Sequence, residues 1–488
     1  MTLSLETKPL TITPDPRRVL ARFSFNGHED GKEIITKVME IDEELIFGKI
    51  STILEQFSKR QRNITRAFNR HCSKLKPLFS ELNIDYDTLT VYRKLYIGYH
   101  FTVEYPIESF SFFNPSIIKD PVQEQILPGQ ARYLISMRSV GENHISSIIF
   151  RRILIDKDNN LTLVSIGPSI DEAEIVRNAV YNKKLFFEKA LIFNIDKEVI
   201  KEIESKLDHH FEYANLKKVV NQQHDLQRND SLVPEYDRLL WLADSYYEIV
   251  YSLDTDISDR VIYPIAEDEN MGIEDARFTN FKHEDGTFTC FAIFTGYDGS
   301  QEVPKLLQTN DFYNFKILPL YGSDVKYDNL VLFPRKINEK YVMIGTNDQC
   351  TGFIMYSDQI NIWEKSSLLY CFLQAWEFLQ IGYCGSPLET EDGWILITHG
   401  IDAMKRYVIG ASLLKLDDPS VEVGRLKRPL LLPNNETQQD YVRNLFGTCG
   451  SILINEKIII PYGCSDSSVK FLELNLPNLI NDMLIPYN

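Results

Sequence analysis

The sequence holds no C-x-x-C pair, no H-E-x-x-H segment and no Gly-rich phosphate loop. Their absence removes the usual signs of a zinc site, a redox dithiol or a nucleotide-binding loop. Cysteine numbers seven, an odd and scattered set that suits reduced thiols rather than a disulfide framework. No uninterrupted apolar run of about 18 residues occurs, so no membrane-spanning helix is expected. The segment MTLSLETKPLTITPDPRR lacks the basic-then-apolar order of a secretory leader, and a cytoplasmic protein is expected. Positive charge is also scarce: 52 Lys and Arg face 69 Asp and Glu, for a net charge of −17. Nucleic acid and anionic membranes call for clustered Lys and Arg, so neither is expected as a partner. No metal and no cofactor is expected; a homo-oligomer stays open.

What the chain does have is length and aromatic rings. Its 488 residues are 44 % hydrophobic, enough for a sizeable core, and include 28 Phe and 25 Tyr. Such enrichment suits strands and also suits a sugar site. Residues 31–82 read as helical. Ile50, Ile53, Leu54 and Phe57 share one face, and Ile64, Ala67, Phe68, His71, Cys72 and Leu75 repeat the spacing. His71 falls within that apolar face and is expected to be a packed core residue. Residues 197–250 also read as helical. There the neighbours His209 and His210 would point about 100° apart on a helix, which makes them poor joint metal ligands.

The remainder reads as strands that repeat. Five apolar segments start at Tyr133, Thr289, Tyr341, Trp394 and Ile458. Each follows a short polar turn (HEDGT, INEK, EDG and INEK again among them), and another apolar segment precedes each turn. The later units recur at about 50–65 residues, the range of propeller blades. The expected class is therefore mainly β: a five-bladed β-propeller with an N-terminal helical extension over 1–100 and a catalytic domain over 101–488, which carries a helical insertion at about 197–250. A β-sandwich with irregular repeats is the alternative.

In a propeller the first strand of each blade lines the central channel, so equivalent strand ends converge. Those positions are polar here: Asn114 and Ser116, Glu274 with Asp275 and Arg277, Asp328 with Asn329, Ser386, and Thr448 with Cys449. Second-strand ends add Arg138, Tyr297, Thr346, His399 and Asp466. Carboxylates, amides, an Arg and a His in one aromatic-rich funnel suit the gripping of sugar hydroxyls. Strict alternation along MGIEDARF, residues 271–278, would put Glu274 and Ala276 on one face, with Asp275 and Arg277 on the other.

MGIEDARF closely resembles the Glu-Asp-Pro-Arg signature of glycoside hydrolase family 130, the β-mannoside phosphorylases and β-mannosidases, with Ala276 in place of Pro. FFNPSI at 112–117, RYLISMRSVGENHISSIIFR at 132–151, LFPRKI at 332–337, YCGSPLETEDGWILITHG at 383–400 and PYGCSDSS at 461–468 agree, in the family's order. The resemblance implies a five-bladed propeller acting on a terminal β-linked mannose, with β-1,2-mannosides as the expected substrates. It implies Asp275 as the acid, acting through a sugar hydroxyl. It implies a substrate grip by Asn114, Ser116 and Arg138, with Glu274, Arg277, Tyr297, His399, Arg443, Tyr462 and Asp466 as further binding positions. Phosphorylases of the family place a Lys just ahead of the Leu-Phe-Pro strand; here Asp328 stands there and Lys326 comes two residues earlier. An Asp would repel phosphate, so hydrolysis is the favoured reading, with Glu377 or Asp328 as the base and Asp348 and Glu142 as lesser candidates. A phosphorylase releasing mannose 1-phosphate and a non-catalytic sugar-binding propeller are the alternatives.

Overall fold

Asn338-Glu339 and Asn455-Glu456 show how local chemistry sets this fold. Both pairs have positive φ at each residue (49° and 63°, 46° and 61°), which makes the two-residue mirror-image turn whose twist matches a hairpin. Each joins strands through an Ile–Lys pair, Ile337 with Lys340 and Ile454 with Lys457. The identical INEK segments therefore close two hairpins in the same way. In a computed structural model the chain is described over residues 5–485, except 177–179, 193, 194, 227–231, 323, 324, 326, 327, 348–350, 370–373, 378, 402–406, 431–446, 465 and 466.

The fold is mainly β, with a helical region near the N-terminus. All five expected hairpins are present, and each grows into an antiparallel meander. The first runs Ser111–Lys119, Ala131–Val140, Ser146–Ile155, Leu161–Leu163. The second runs Gly272–Lys282, Phe288–Tyr297, Glu302–Thr309, Asn314–Pro319. The third is Asp328–Leu332, Tyr341–Thr346, Gly352–Ser357 and Ser366–Leu369. In the fourth the inner strand is split into Gln380–Tyr383 and Leu388–Thr390, followed by Gly393–Ile401, Tyr407–Leu414 and Glu422–Arg425. The fifth is Ile452–Ile454, Lys457–Cys464 and Ser468–Asn475, and its outer strand is Leu5–Ile12 from the other end of the chain. Buried Lys8 seals that last pairing, 2.8 Å from the Glu473 carboxylate, which Lys457 also meets at 2.8 Å. The first two meanders touch through Gly272 and Ser146, so hydrogen bonding joins them into one larger mixed sheet.

The helical expectations hold with shifted ends. His28–Met39, Glu43–Phe57, Ile64–Ser73, Lys76–Glu81 and Val91–His100 pack on a shared core that includes Ile35, Ile50, Phe68, Cys72 and Ile97. The second helical region starts earlier than expected, at Lys183–Ile192, and continues through Lys197–Glu204, Tyr213–Leu226 and Val233–Asp244. Asp196 caps its second helix by accepting the N–H groups of Glu198 at 2.7 Å and Val199 at 3.3 Å. The last residues of the expected helix, Tyr247–Val250, instead form a strand on Asn314–Pro319. Their pattern explains the difference: Tyr247 and Ile249 are buried and alternate with half-buried Glu248 and Val250. Among the described residues no helix is long and apolar enough to cross a membrane.

His71 is buried, as its position on the apolar face predicts. Its Nδ1 lies 2.7 Å from Thr102 Oγ1, and that hydroxyl donates its own hydrogen to the Gly98 carbonyl, also at 2.7 Å. The imidazole Nδ1–H must then donate to Thr102, which selects one neutral tautomer. Burial, with Arg70 and Lys74 adding to it, pushes the imidazole pKa down to about 3. An unfolded His titrates near 6.5. The stability tied to neutral His71 is therefore complete above about pH 6.5 and is lost as pH falls toward 3. Urea unfolding at pH 6 and pH 4.5 should show native protein losing up to about 1.4 kcal/mol per pH unit more than His71→Gln; equal slopes would contradict this account.

Candidate active site

Three inner strands share one irregularity. Between Phe113 and Ser116, between Glu274 and Arg277, and between Asp328 and Val331, three steps along the inner strand match two on its partner. The residue after the first anchor is left-handed in each: Asn114 at φ 45°, Asp275 at 54° and Asn329 at 52°. Asn and Asp tolerate this region because short polar side chains bond locally. A bulge of this kind re-aims a side chain that strict alternation would send elsewhere. The expected alternation along Glu274–Arg277 is therefore corrected. The bulge lets Glu274, Asp275 and Arg277 all line one cavity.

That cavity measures about 460 Å³. Asn114, Asp275, Arg277, Asn329, His399 and Cys449 meet in it from the first four meanders and from the segment ahead of the fifth. The Asn114 side-chain amide donates to Asp275 Oδ1, and Arg277 stands 3.6 Å from Asp275 Oδ2. Buried Arg277 also donates to the Asp275 carbonyl at 3.1 Å, to Asn329 Oδ1 at 3.0 Å and to the Tyr383 carbonyl at 3.3 Å. Asn329 in turn donates to Thr346 Oγ1 at 3.2 Å. The side chains thus hold one another across sheet boundaries. Two glycines permit it. A Cβ on Gly447 would lie 1.8 Å from Asn114 Oδ1, and one on Gly382 would lie 2.2 Å from His399 Cε1 and 2.8 Å from Asn329 Cγ.

Burial dominates the electrostatics. It pushes the His399 pKa down to about 4, helped by Arg277, so this imidazole is neutral near pH 7. It raises the Glu274 carboxyl, with Asp275 and Glu302 adding to the rise and Arg138 opposing it. Arg138 forms an ion pair with Glu274 and packs over the Phe113 ring. Burial also pushes the Cys449 thiol up, which leaves it protonated and inert.

Several expected site residues lie elsewhere. Glu377 is fully buried and away from the cavity; it pairs with Arg425 and accepts the Gln374 N–H at 2.9 Å. A carboxylate enclosed in this way has no access to a nucleophile. Ser116 is also buried, and its hydroxyl accepts the Phe278 N–H at 3.2 Å, so it ties two meanders together. Tyr297 donates to the Gly299 carbonyl at 2.9 Å and shapes a turn. Tyr462 is a core residue whose phenol is pushed up to about 12 by burial. Glu142 belongs to a tight turn, and its carbonyl accepts the Tyr105 hydroxyl. Arg443, Asp466, Lys326 and Asp348 fall outside the described residues. The cavity adds Thr295, Glu302, Gln380 and Tyr407. Glu302 and Tyr407 begin third strands, beyond the first- and second-strand ends expected to line a funnel.

Comparison with known proteins gives one family model, glycoside hydrolase family 130, described as β-1,4-mannooligosaccharide phosphorylase, over residues 242–484. A 1,2-β-oligomannan phosphorylase of Thermoanaerobacter sp. is 34 % identical over 218 residues, 44 % of this chain and 71 % of that protein. A β-1,2-mannobiose phosphorylase of Listeria innocua is 28 % identical over 240 residues, covering 46 % and 63 % of the two chains. The solved structure of the Listeria enzyme with β-1,2-mannobiose aligns at 20 % identity and a TM-score of 0.45, over 77 % of this chain and 92 % of that one.

These relatives overturn water as the expected nucleophile. The electrostatic objection to phosphate placed Asp328 inside a dry funnel. The third bulge turns Asn329 inward instead, and Asp328 is exposed at the cavity wall, where solvent screens its charge.

The two roles proposed for carboxylates separate on stability. Glu377→Ala leaves Arg425 its pairing with Glu422, at 2.9 Å, but removes the acceptor of the Gln374 N–H, and it should cost about 1–3 kcal/mol in unfolding free energy. Asp275→Asn, at a half-exposed side chain whose amide oxygen can still accept from Arg277, should cost less than that. Denaturant titration of both variants checks the contrast, and a stable Glu377→Ala would refute the buried-pair reading.

Proposed function

The chain belongs to glycoside hydrolase family 130, and we propose that it is a β-mannoside phosphorylase whose five meanders close into a five-bladed propeller around the cavity at Asp275. The arrangement supports this closure: the inner strands of the first four meanders and the segment ahead of the fifth contribute at one cavity, and Leu5–Ile12 completes the last sheet from the opposite end of the chain. Residues 1–100 would then be a helical extension that lends one strand to the ring, and residues 101–488 the catalytic domain with its helical insertion. The substrates proposed are β-1,2-linked mannosides, the class named for the Thermoanaerobacter and Listeria relatives.

The observation that carries the reading is the placement of Asp275, the acid of the family signature, where a left-handed bulge presents it to the cavity between Asn114 and Arg277. In the proposed reaction a phosphate oxygen attacks the anomeric carbon of the terminal mannose, and the bond from that carbon to the glycosidic oxygen breaks. The Asp275 proton passes through a sugar hydroxyl to the leaving oxygen. The products are mannose 1-phosphate and a shortened sugar. Arg277, the one cation among the described residues that line the cavity, supplies positive charge beside the attacking anion. Neutral His399, Asn114 and Asn329 are suited to hydroxyls, because neutral groups bind them without a net charge to neutralise. Arg138, locked to Glu274, is proposed to contact the substrate at the rim.

Incubation with β-1,2-mannobiose should release mannose 1-phosphate only when inorganic phosphate is present. Asp275→Asn should lower that turnover at least about a hundredfold, the usual contribution of a general acid. Equal mannose release with and without phosphate would overturn the proposal, and near-normal turnover by Asp275→Asn would remove its acid.

A further inference from the structure

The cavity does not stop at the inner strand of the second meander. Glu274 on that strand faces Thr295 on the next, and Thr295 faces Pro304 on the third. All three line the cavity. Neighbouring strands lie about 4.8 Å apart, so this row extends about 10 Å outward from the inner strand. That is longer than one pyranose ring. Two registered positions before Pro304, Glu302 faces Tyr297 and lines the outer end of the same cavity.

Glu302 differs from its acidic neighbours. Glu274 is committed to Arg138, and Asp275 to Asn114 and Arg277. Among the described residues the Glu302 carboxylate takes part in no hydrogen bond and no ion pair, and it is exposed. Its backbone is nonetheless well held. Asp298 Oδ1 accepts the N–H groups of Ser300 and Gln301, both at 2.7 Å, and Tyr297 donates to the Gly299 carbonyl at 2.9 Å. These bonds fix the turn that leads directly into Glu302. Beside it, Pro304 and Val325 give the cavity an apolar wall against which the C–H face of a sugar can lie. A fixed turn, an apolar wall and two open acceptor oxygens fit a ring whose hydroxyls need acceptors.

We propose that Glu302 is a specificity-determining residue that accepts hydroxyl hydrogens from the second sugar, the ring that leaves in phosphorolysis and accepts mannose in the reverse reaction. This rests on the phosphorylase reading. The terminal mannose is gripped at Asp275, Asn114 and Asn329; Glu302 reads its neighbour.

The reverse reaction separates the two sugars, with mannose 1-phosphate as donor and mannose as acceptor. In Glu302→Ala the KM for mannose should rise about tenfold or more, in line with losing a hydrogen bond to a charged group. The KM for mannose 1-phosphate should stay within about twofold. Glu302→Gln, whose amide oxygen still accepts, should recover part of the loss. Because Glu302 is exposed, the melting temperature of both variants should match that of the native protein, which separates a folding defect from a lost contact. An unchanged KM for mannose, or equal rises for both substrates, would overturn the assignment of Glu302 while leaving the activity in place. Native protein that makes no disaccharide from these substrates would overturn the phosphorylase reading, and the role of Glu302 with it.

Discussion

The guanidinium of Arg277 is buried, and its charge must be met by groups from whatever sheets surround it. Those groups come from three meanders: the carbonyl and carboxylate of Asp275 in its own, Asn329 in the next and the Tyr383 carbonyl in the one after. Asp275 passes the connection back to the first meander through Asn114, and Asn114 leaves room only for hydrogen at Gly447. A charge removed from water is costly unless paired and hydrogen-bonded. The same bonds that satisfy Arg277 therefore register the sheets against one another and orient the candidate acid. Structural satisfaction and chemical positioning are one set of contacts here.

The five hairpins could be read from the chain because their determinants are local. Alternating apolar residues and short polar turns lie within a dozen residues of each other, and INEK carries its turn type in its own two central residues. The bulges were less legible. Asn114, Asp275 and Asn329 are short polar residues inside apolar strands, which is the available clue to a left-handed position. An assumption of unbroken alternation hides it, and one inserted residue changes which side chains share a face.

The misplaced residues have a different cause. Glu377 looks exposed to chemistry in sequence because its partner, Arg425, lies 48 residues away, on the strand Glu422–Arg425. Tyr462 and Ser116 likewise have their surroundings set by distant segments, a core for one and the Phe278 amide for the other. The error over the nucleophile was of the same kind. Replacing Lys by Asp at one position has a large electrostatic effect only if that side chain is desolvated, and desolvation is a tertiary property. The bulge after Asp328 puts the neutral amide of Asn329 inward and leaves the charge in solvent. Glu302 was missed because its place in the cavity depends on how far the pocket runs across a sheet, which no single strand reveals.

The pairing of Leu5–Ile12 with Ser468–Asn475 has a consequence for biogenesis. A ribosome makes the outer strand of the final sheet several hundred residues before its neighbour. Until then the edge of Leu5–Ile12 has no mate in its own chain, and unpaired edges invite pairing with other molecules. Lys8 lies on that strand and is buried against Glu473 only after the sheet is complete. Before that it is a hydrated charge on an open edge, a known deterrent to edge-to-edge association. One lysine thus serves the nascent chain as a guard and the finished protein as a lock.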